Sequence, residues 1–264
     1  MPIQHTPPKD KNRAQKMKAF DRLLTIMDEL RLNCPWDKKQ TLESIRYLTI
    51  EEVYELSDAI INQDIDEVKN ELGDIMLHLV FYSKIASETG RFDIADVLDG
   101  VCEKMIRRHP HIYGDAVASD EATVKRNWER IKLSEKKGKS VLEGVPTSLP
   151  AMTKATRIQE KARGIGFDWN NSKDVLQKVK EEIEEFETEI TPAEKEKEFG
   201  DILFSLINYA RFIGIDPEQA LEKTNKKFIH RFQHIEKRAK EEELDLKKMS
   251  LGQMDVFWNE AKKL

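Results

Sequence analysis

The sequence predicts an all-α fold, and three observations carry that prediction. Apolar residues in the long segments recur with a helical rather than an alternating period. Glycine (11) and proline (9) are scarce for 264 residues, against typical usage of roughly 7% and 5%. Gly, Pro, Ser and Lys concentrate in one stretch, residues 134–150 (SEKKGKSVLEGVPTSLP). That stretch reads as a linker between a first domain, 1–133, and a second, 151–264.

The helical segments of the first domain lie near 12–31, 41–62, 65–89, 93–108 and 120–137. In 41–62, Val53, Leu56 and Ile60 make an apolar stripe with Glu52 and Glu55 along one edge. Segment 65–89 carries NELGD and then the apolar run DIMLHLVFYSKIA, and 93–108 stops at His109-Pro110-His111. The second domain has segments near 150–163, 172–190, 193–213, 216–243 and 250–263. Val175, Leu176, Val179, Ile183, Phe186 and Ile190 share one side of 172–190. Phe199, Ile202, Leu203, Leu206, Ala210 and Ile213 do the same in 193–213. Both stripes are expected to face a core.

A net charge of −5 leaves no electrostatic footprint for nucleic acid. Cys34 and Cys102 have no partner pattern and fit a reducing cytosol as small buried apolar residues. The start, MPIQHTPPKDKN, lacks a signal-peptide core, and no apolar run approaches the ~20 residues of a membrane span. A cytoplasmic protein without membrane contact is the expectation.

The chemistry concentrates between Lys178 and Asp201. Glu182 and Glu185 edge one stripe, and Glu198 and Asp201 edge the next. Glu181 and Glu184 point nearer the opposite side. If the two helices pack stripe to stripe, four carboxylates converge, and like charges that close repel strongly. A divalent cation resolves the repulsion. An all-oxygen donor set without His or Cys points to Mg²⁺, with Mn²⁺ as an alternative, rather than to zinc. Magnesium keeps phosphates among its ligands, so a phosphate-bearing substrate is expected. The competing reading of EEIEEFETEI, a solvated helix face, weakens once the pattern is seen twice.

The domains repeat each other. Glu52 and Glu55 precede Glu182 and Glu185 by 130 residues, and Glu71 and Asp74 precede Glu198 and Asp201 by 127. Lys104 and Arg108 precede Lys227 and Arg231 by 123, and Trp128 and Lys132 precede Trp258 and Lys262 by 130. Offsets this constant describe a duplication with small loop changes. One such hairpin is thin, so either the halves pair or two chains do.

Lys227 and Arg231 lie four apart on one helical face and can reach one anion. Lys178 and Lys197 lie beside the acid pairs, where a phosphate contact and an ordinary salt bridge are both open. Trp258 is placed to stack a base while Lys262 reaches phosphate. Trp36 in CPWDKKQT, and Phe167 and Trp169 in GIGFDW, either cover the bundle end or grip a base. His230 and His234 read as surface residues.

Taken together, CPWDKKQT, TIEEVYELSDAI, ELGDIMLHLVFYSKIA and RRHPHIYG, then GFDW, EEIEEF, EFGDILFSLINYAR and KFIHRF, resemble the two-domain MazG nucleoside triphosphate pyrophosphohydrolases over residues 17–264. The resemblance implies tandem helical domains of the all-α NTP pyrophosphatase superfamily, completed as four-helix bundles in a homodimer. It implies Mg²⁺-dependent hydrolysis of NTPs and dNTPs to monophosphates and pyrophosphate, as nucleotide-pool house-cleaning or stress control. It also implies that Glu182, Glu185, Glu198 and Asp201 hold metal. Lys227, Arg231, Trp258 and Lys262 then contact nucleotide, and the C-terminal copy carries the main activity. Glu52, Glu55, Glu71 and Asp74 are intact as a first-copy metal set, with Lys104, Arg108, Trp128 and Lys132 as its nucleotide set.

The expected mechanism has a metal-bound water attack the α-phosphorus while Lys227 and Arg231 stabilise the departing pyrophosphate. Glu185, farther from the stripe than Glu182, is the expected general base. Two rival readings are a non-catalytic nucleotide-sensing interaction protein and a pyrophosphohydrolase narrow for one noncanonical nucleotide.

Overall fold

A computed structural model of the chain describes residues 9–135 and 140–263, and those residues contain helices and no β-strand. The chain divides into two compact units, Met1–Lys137 and Gly138–Leu264.

In the first unit α1 (Arg13–Asn33) leads through a 3-10 turn to α2 (Arg46–Asn62) and α3 (Ile65–Ser87). α4 (Ile94–Arg108), the one-turn α5 (Pro110–Tyr113) and α6 (Glu121–Ser134) follow. Two residues join α2 to α3, a connection short enough to make the helices antiparallel neighbours. Gln63 turns the chain with a left-handed φ of 58°. Asp64 then caps α3 by accepting a hydrogen bond from the Glu67 N–H at 3.1 Å. α1 and α4 pack on α3, and α6 packs on α4. Met27, Ile45, Val80 and Phe81 form the core of this unit.

The second unit contains α7 (Ala151–Arg163), α8 (Ser172–Thr188), α9 (Pro192–Phe212), α10 (Pro217–Glu241) and α11 (Leu251–Ala261). Three residues join α8 to α9 and again make a hairpin. Thr191 caps α9 ahead of Pro192, and Asp216 caps α10 ahead of Pro217; proline at a helix start costs no hydrogen bond, because that N–H has no helical partner. α9 packs on α7, α8 and α10, and α11 packs on α10. Val175, Val179, Ile207, Ile235 and Phe257 are buried. The Lys161 ammonium, itself buried, donates to the carbonyls of Val141 and Glu143 and ties the segment before α7 onto that helix.

The aromatic loops before each hairpin are pinned by arginines. Arg31 donates to the carbonyl oxygens of Asp37 and Gln40, and Arg211 grips Asp168 at 2.6 and 3.1 Å. Trp36, Phe167 and Trp169 remain exposed on those loops.

Two sequence expectations need correction. The hairpin stripes are only partly covered: Val53, Leu72, Met76 and Leu79 in one unit, and Ile183, Phe199, Leu203 and Leu206 in the other, are 40–53% exposed. Ile60, Ile190 and Ile213 are exposed as well. An amphipathic stripe reports which way a side chain points, and nothing within a single unit lies over this part of the hairpin. The cysteines are not core residues either, for Cys34 is half-buried and Cys102 exposed. Among the described residues no helix is long and apolar enough to cross a membrane.

Candidate functional site

The α8–α9 hairpin brings Glu182, Glu185 and Glu198 together, with one oxygen from each within 4.8 Å of the others. Burial of Val175 and Val179 turns one face of α8 toward α9, and Glu182, one turn beyond Val179, lies on that face and is buried with Glu198. Glu185 stays exposed at the rim. Glu181 is half-buried and Glu184 exposed, and neither belongs to the cluster. Asp201, half-buried one turn after Glu198, also lies outside this group of three.

Two lysines enter the cluster. Lys178 Nζ lies 2.8 Å from Glu182 Oε1, and Lys197 Nζ lies 2.6 Å from Glu198 Oε1. Hydrogen bonding to these carboxylates pushes both ammonium pKa values up. The structure therefore shows these lysines in ion pairs.

The first unit builds the same triangle from Glu52, Glu55 and Glu71, again within 4.8 Å. Asp74 is exposed and outside it. No lysine accompanies this triangle at the matching positions, which hold Leu48 and Asn70. Glu71 is buried, and its Oε2 has no hydrogen-bond partner. Burial, then the carboxyls of Glu67 and Glu52 against it, and the charge of Glu55 beside them, push its pKa up to about 7. A buried oxygen without a donor, faced by other acids, is stabilised by a proton or by a cation. The donor set is all carboxylate oxygen, which fits a hard divalent cation.

The predicted cations and tryptophans form a second grouping on α10 and α11. Arg231 lies over Trp258 at 5.3 Å from the ring centroid, and the Phe228 ring lies 5.2 Å from the same ring, tilted by 60°. Lys227 and Lys262 are exposed, and Lys262 donates to Asn259 Oδ1. Among the described residues no ion pair joins Lys227, Arg231 or Lys262 to the four acids of the hairpin. In the first unit Arg108 lies 5.1 Å over Trp128 and Lys132 4.4 Å over it, with Lys104 half-buried. Arg108 and Arg107 also bind Glu135 at 2.6 and 2.7 Å, and hold its carboxyl down at about 2.

Sequence reasoning missed Glu67, Phe228 and Glu135. Glu67 was signalled by its four-residue spacing from Glu71. Glu135 fell in the stretch taken as linker, and Phe228 carried no repeat signal.

The MazG nucleotide pyrophosphohydrolase domain matches residues 40–113 and 170–236. Both acid sets lie inside these segments, whereas Trp128, Lys132, Trp258 and Lys262 lie outside. A relative from Thermotoga maritima, described as a nucleoside triphosphate pyrophosphohydrolase/pyrophosphatase MazG, is 42% identical over 92% of this chain and 95% of its own length. The nucleoside triphosphate pyrophosphohydrolase of Escherichia coli K12 is 41% identical over 94% and 98%. Bacillus subtilis YabN, an uncharacterized protein, is 48% identical over 92% of this chain and 51% of its own length.

Proposed function

This chain belongs to the MazG nucleotide pyrophosphohydrolase family, and on that premise we propose that its second unit is the main site at which NTPs and dNTPs are cleaved to monophosphate and pyrophosphate. The observation that carries the reading is the convergence of buried Glu182 and Glu198 with exposed Glu185 on one hairpin. Glu182, Glu185 and Glu198, with Asp201 one turn further along, would hold Mg²⁺ or Mn²⁺. When bound, the cation supplies two things: a lowered pKa for water and offset of phosphate charge.

The chain's own residues do the rest. Glu185, the acid at the rim, accepts a proton from the attacking water, whose oxygen bonds to the α-phosphorus. The bond from the α-phosphorus to the oxygen bridging to the β-phosphorus breaks, and pyrophosphate leaves with that electron pair. Lys227 and Arg231 take up its charge, and Trp258 holds the base. Lys178 and Lys197, which pair with Glu182 and Glu198, would be available to phosphate oxygens once those carboxylates held a cation.

The protein acts as a homodimer in the cytoplasm, without nucleic acid, in nucleotide-pool house-cleaning. The repeated exposed apolar face on both hairpins supports the dimer. The test is pyrophosphate release from mixed NTPs and dNTPs with Mg²⁺, for the unmodified chain and for Glu182→Ala and Asp201→Ala. Each variant is expected to lose orders of magnitude with its oligomeric state intact. Full turnover in both variants rejects the second unit as the site, and no release by the unmodified chain rejects the activity. Competition among the nucleotides at equal concentration then reads out base preference.

A further inference from the structure

Both units stack an arginine on a tryptophan, and among the described residues only the first unit's arginine carries a carboxylate. Arg231 lies on Trp258 and has no acidic partner among the described residues. Arg108 lies on Trp128 in the same way. Its Nη2 and Nε donate to Glu135 Oε2 at 2.6 and 3.2 Å, and Arg107 Nε donates to Glu135 Oε1 at 2.7 Å. The Arg108 side chain is 14% exposed and that of Glu135 23%, while Arg107 at 56% stands open to solvent.

A guanidinium presents its N–H groups as a planar fork, and carboxylate and phosphate are the two biological anions that fit it with paired hydrogen bonds. Glu135 thus supplies to Arg108 what a phosphate would supply. Arg107, Arg108, Trp128 and Lys132 converge around this one carboxylate and ring, an arrangement suited to an anion chain beside a planar base. Glu135 directly follows α6 (Glu121–Ser134), at the start of the sequence that leads to the second unit.

We propose that Glu135 is a built-in occupant of the first unit's anion site, holding Arg107 and Arg108 in place of a phosphate chain, so that this unit takes nucleoside triphosphate only when Glu135 lets go. The inference rests on the reading that the paired cations of each unit receive phosphate. It adds an asymmetry: the second unit is open to substrate and the first is closed by its own chain. The acid triangles differ in the same sense, since Leu48 and Asn70 stand in the first unit where Lys178 and Lys197 stand in the second. Both differences make the first unit the poorer home for a polyanion.

The test uses the full chain with its second unit silenced by Glu182→Gln and Glu198→Gln. Adenosine 5′-(α,β-imido)triphosphate with Mg²⁺ is titrated calorimetrically into this chain, and into the same chain carrying Glu135→Gln or Glu135→Ala. Releasing the fork is expected to tighten binding at least tenfold, and adding Arg108→Ala is expected to abolish the gain. Glu135→Gln keeps the side chain's shape, so a folding defect in the alanine variant leaves the comparison intact. Equal affinity with and without Glu135 overturns the proposal and makes the ion pair a clip on α6. The second-unit reading is scored separately: it fails if silencing leaves the unmodified chain's affinity unchanged.

Discussion

Lys178 Nζ stands 2.8 Å from Glu182 Oε1, one helical turn away, and on the facing helix Lys197 Nζ stands 2.6 Å from Oε1 of Glu198, its neighbour in sequence. The second acid cluster thus carries two cations of its own, whereas the first leaves a buried Glu71 oxygen without a donor. Two hairpins of the same design are tuned oppositely by two positions, and the tuning has measurable consequences.

On the proposed reading, the lysines compete with the metal for Glu182 and Glu198 and then assist the substrate. Lys178→Met and Lys197→Met are therefore expected to lower the Mg²⁺ concentration needed for half-maximal rate while raising KM for nucleotide, by several-fold up to about tenfold. Without metal both variants should also melt at lower temperature, because each removal leaves a buried carboxylate without its cation. Initial rates over a grid of Mg²⁺ and nucleotide concentrations separate the two effects. If neither constant moves, the lysines are surface partners of the acids and nothing more.

Glu71 sets a pH dependence with a definite sign. Its folded-state pKa is raised to about 7 from the ordinary 4.5 by burial and by neighbouring acids. The native state therefore binds this proton more tightly than the unfolded state does. The associated stabilisation is complete below about pH 4.5 and is lost as pH rises through about 7. Without metal, the first unit should melt at lower temperature at pH 8 than at pH 5, and Mn²⁺ should restore it at pH 8. Glu71→Gln should flatten the profile. A metal-free melting temperature that is the same at both pH values removes Glu71 as the cause.

Much of this site was legible from spacing. Acids three residues apart fall on one helical face, and a duplicated pattern shows which acids matter among many; that is why Glu182, Glu198 and Glu71 were found while Glu181 and Glu184 were set aside. Periodicity gives direction around a helix but not depth. It placed Asp201 and Asp74 with the other acids, although each sits one turn beyond the cluster. It also assigned Phe199 and Leu203 to a core that a single unit does not supply. Glu135 was hidden for another reason: its partners Arg107 and Arg108 lie on a different helix, and pairing between helices has no local signature.

Trp258 has two possible partners whose contributions differ in size. Support of Arg231 by the ring face is a cation–π contact of about 0.5–1 kcal/mol at such a site, or roughly two- to fivefold in affinity. Stacking of a base contributes about 1–3 kcal/mol. Trp258→Ala is expected to raise KM by tenfold or more, with purine nucleotides losing more than pyrimidines. Steady-state kinetics on dATP and dCTP provide the check, and a uniform loss of two- to fivefold would assign the ring to Arg231 alone.

The exposed hairpin faces make the last prediction the most demanding one for the architecture. Val53, Leu72, Met76 and Leu79 on one hairpin, and Ile183, Phe199, Leu203 and Leu206 on the other, share a face and are 40–53% exposed. Burying a large apolar side chain fully contributes about 1.5–3 kcal/mol, so two such faces hold enough surface to sustain a stable assembly. The covering element must present a matching apolar face, and a second copy of the hairpin does so by construction. Leu203→Glu and Leu206→Glu place a charge in the centre of that face and are expected to convert a dimer to monomers in light scattering. Turnover should fall with the dimer, because Glu198 and Asp201 lie on α9 beside Phe199 and depend on what covers it. An unmodified chain that runs as a monomer at micromolar concentration contradicts the argument at its root, since these faces would then be tolerated in water.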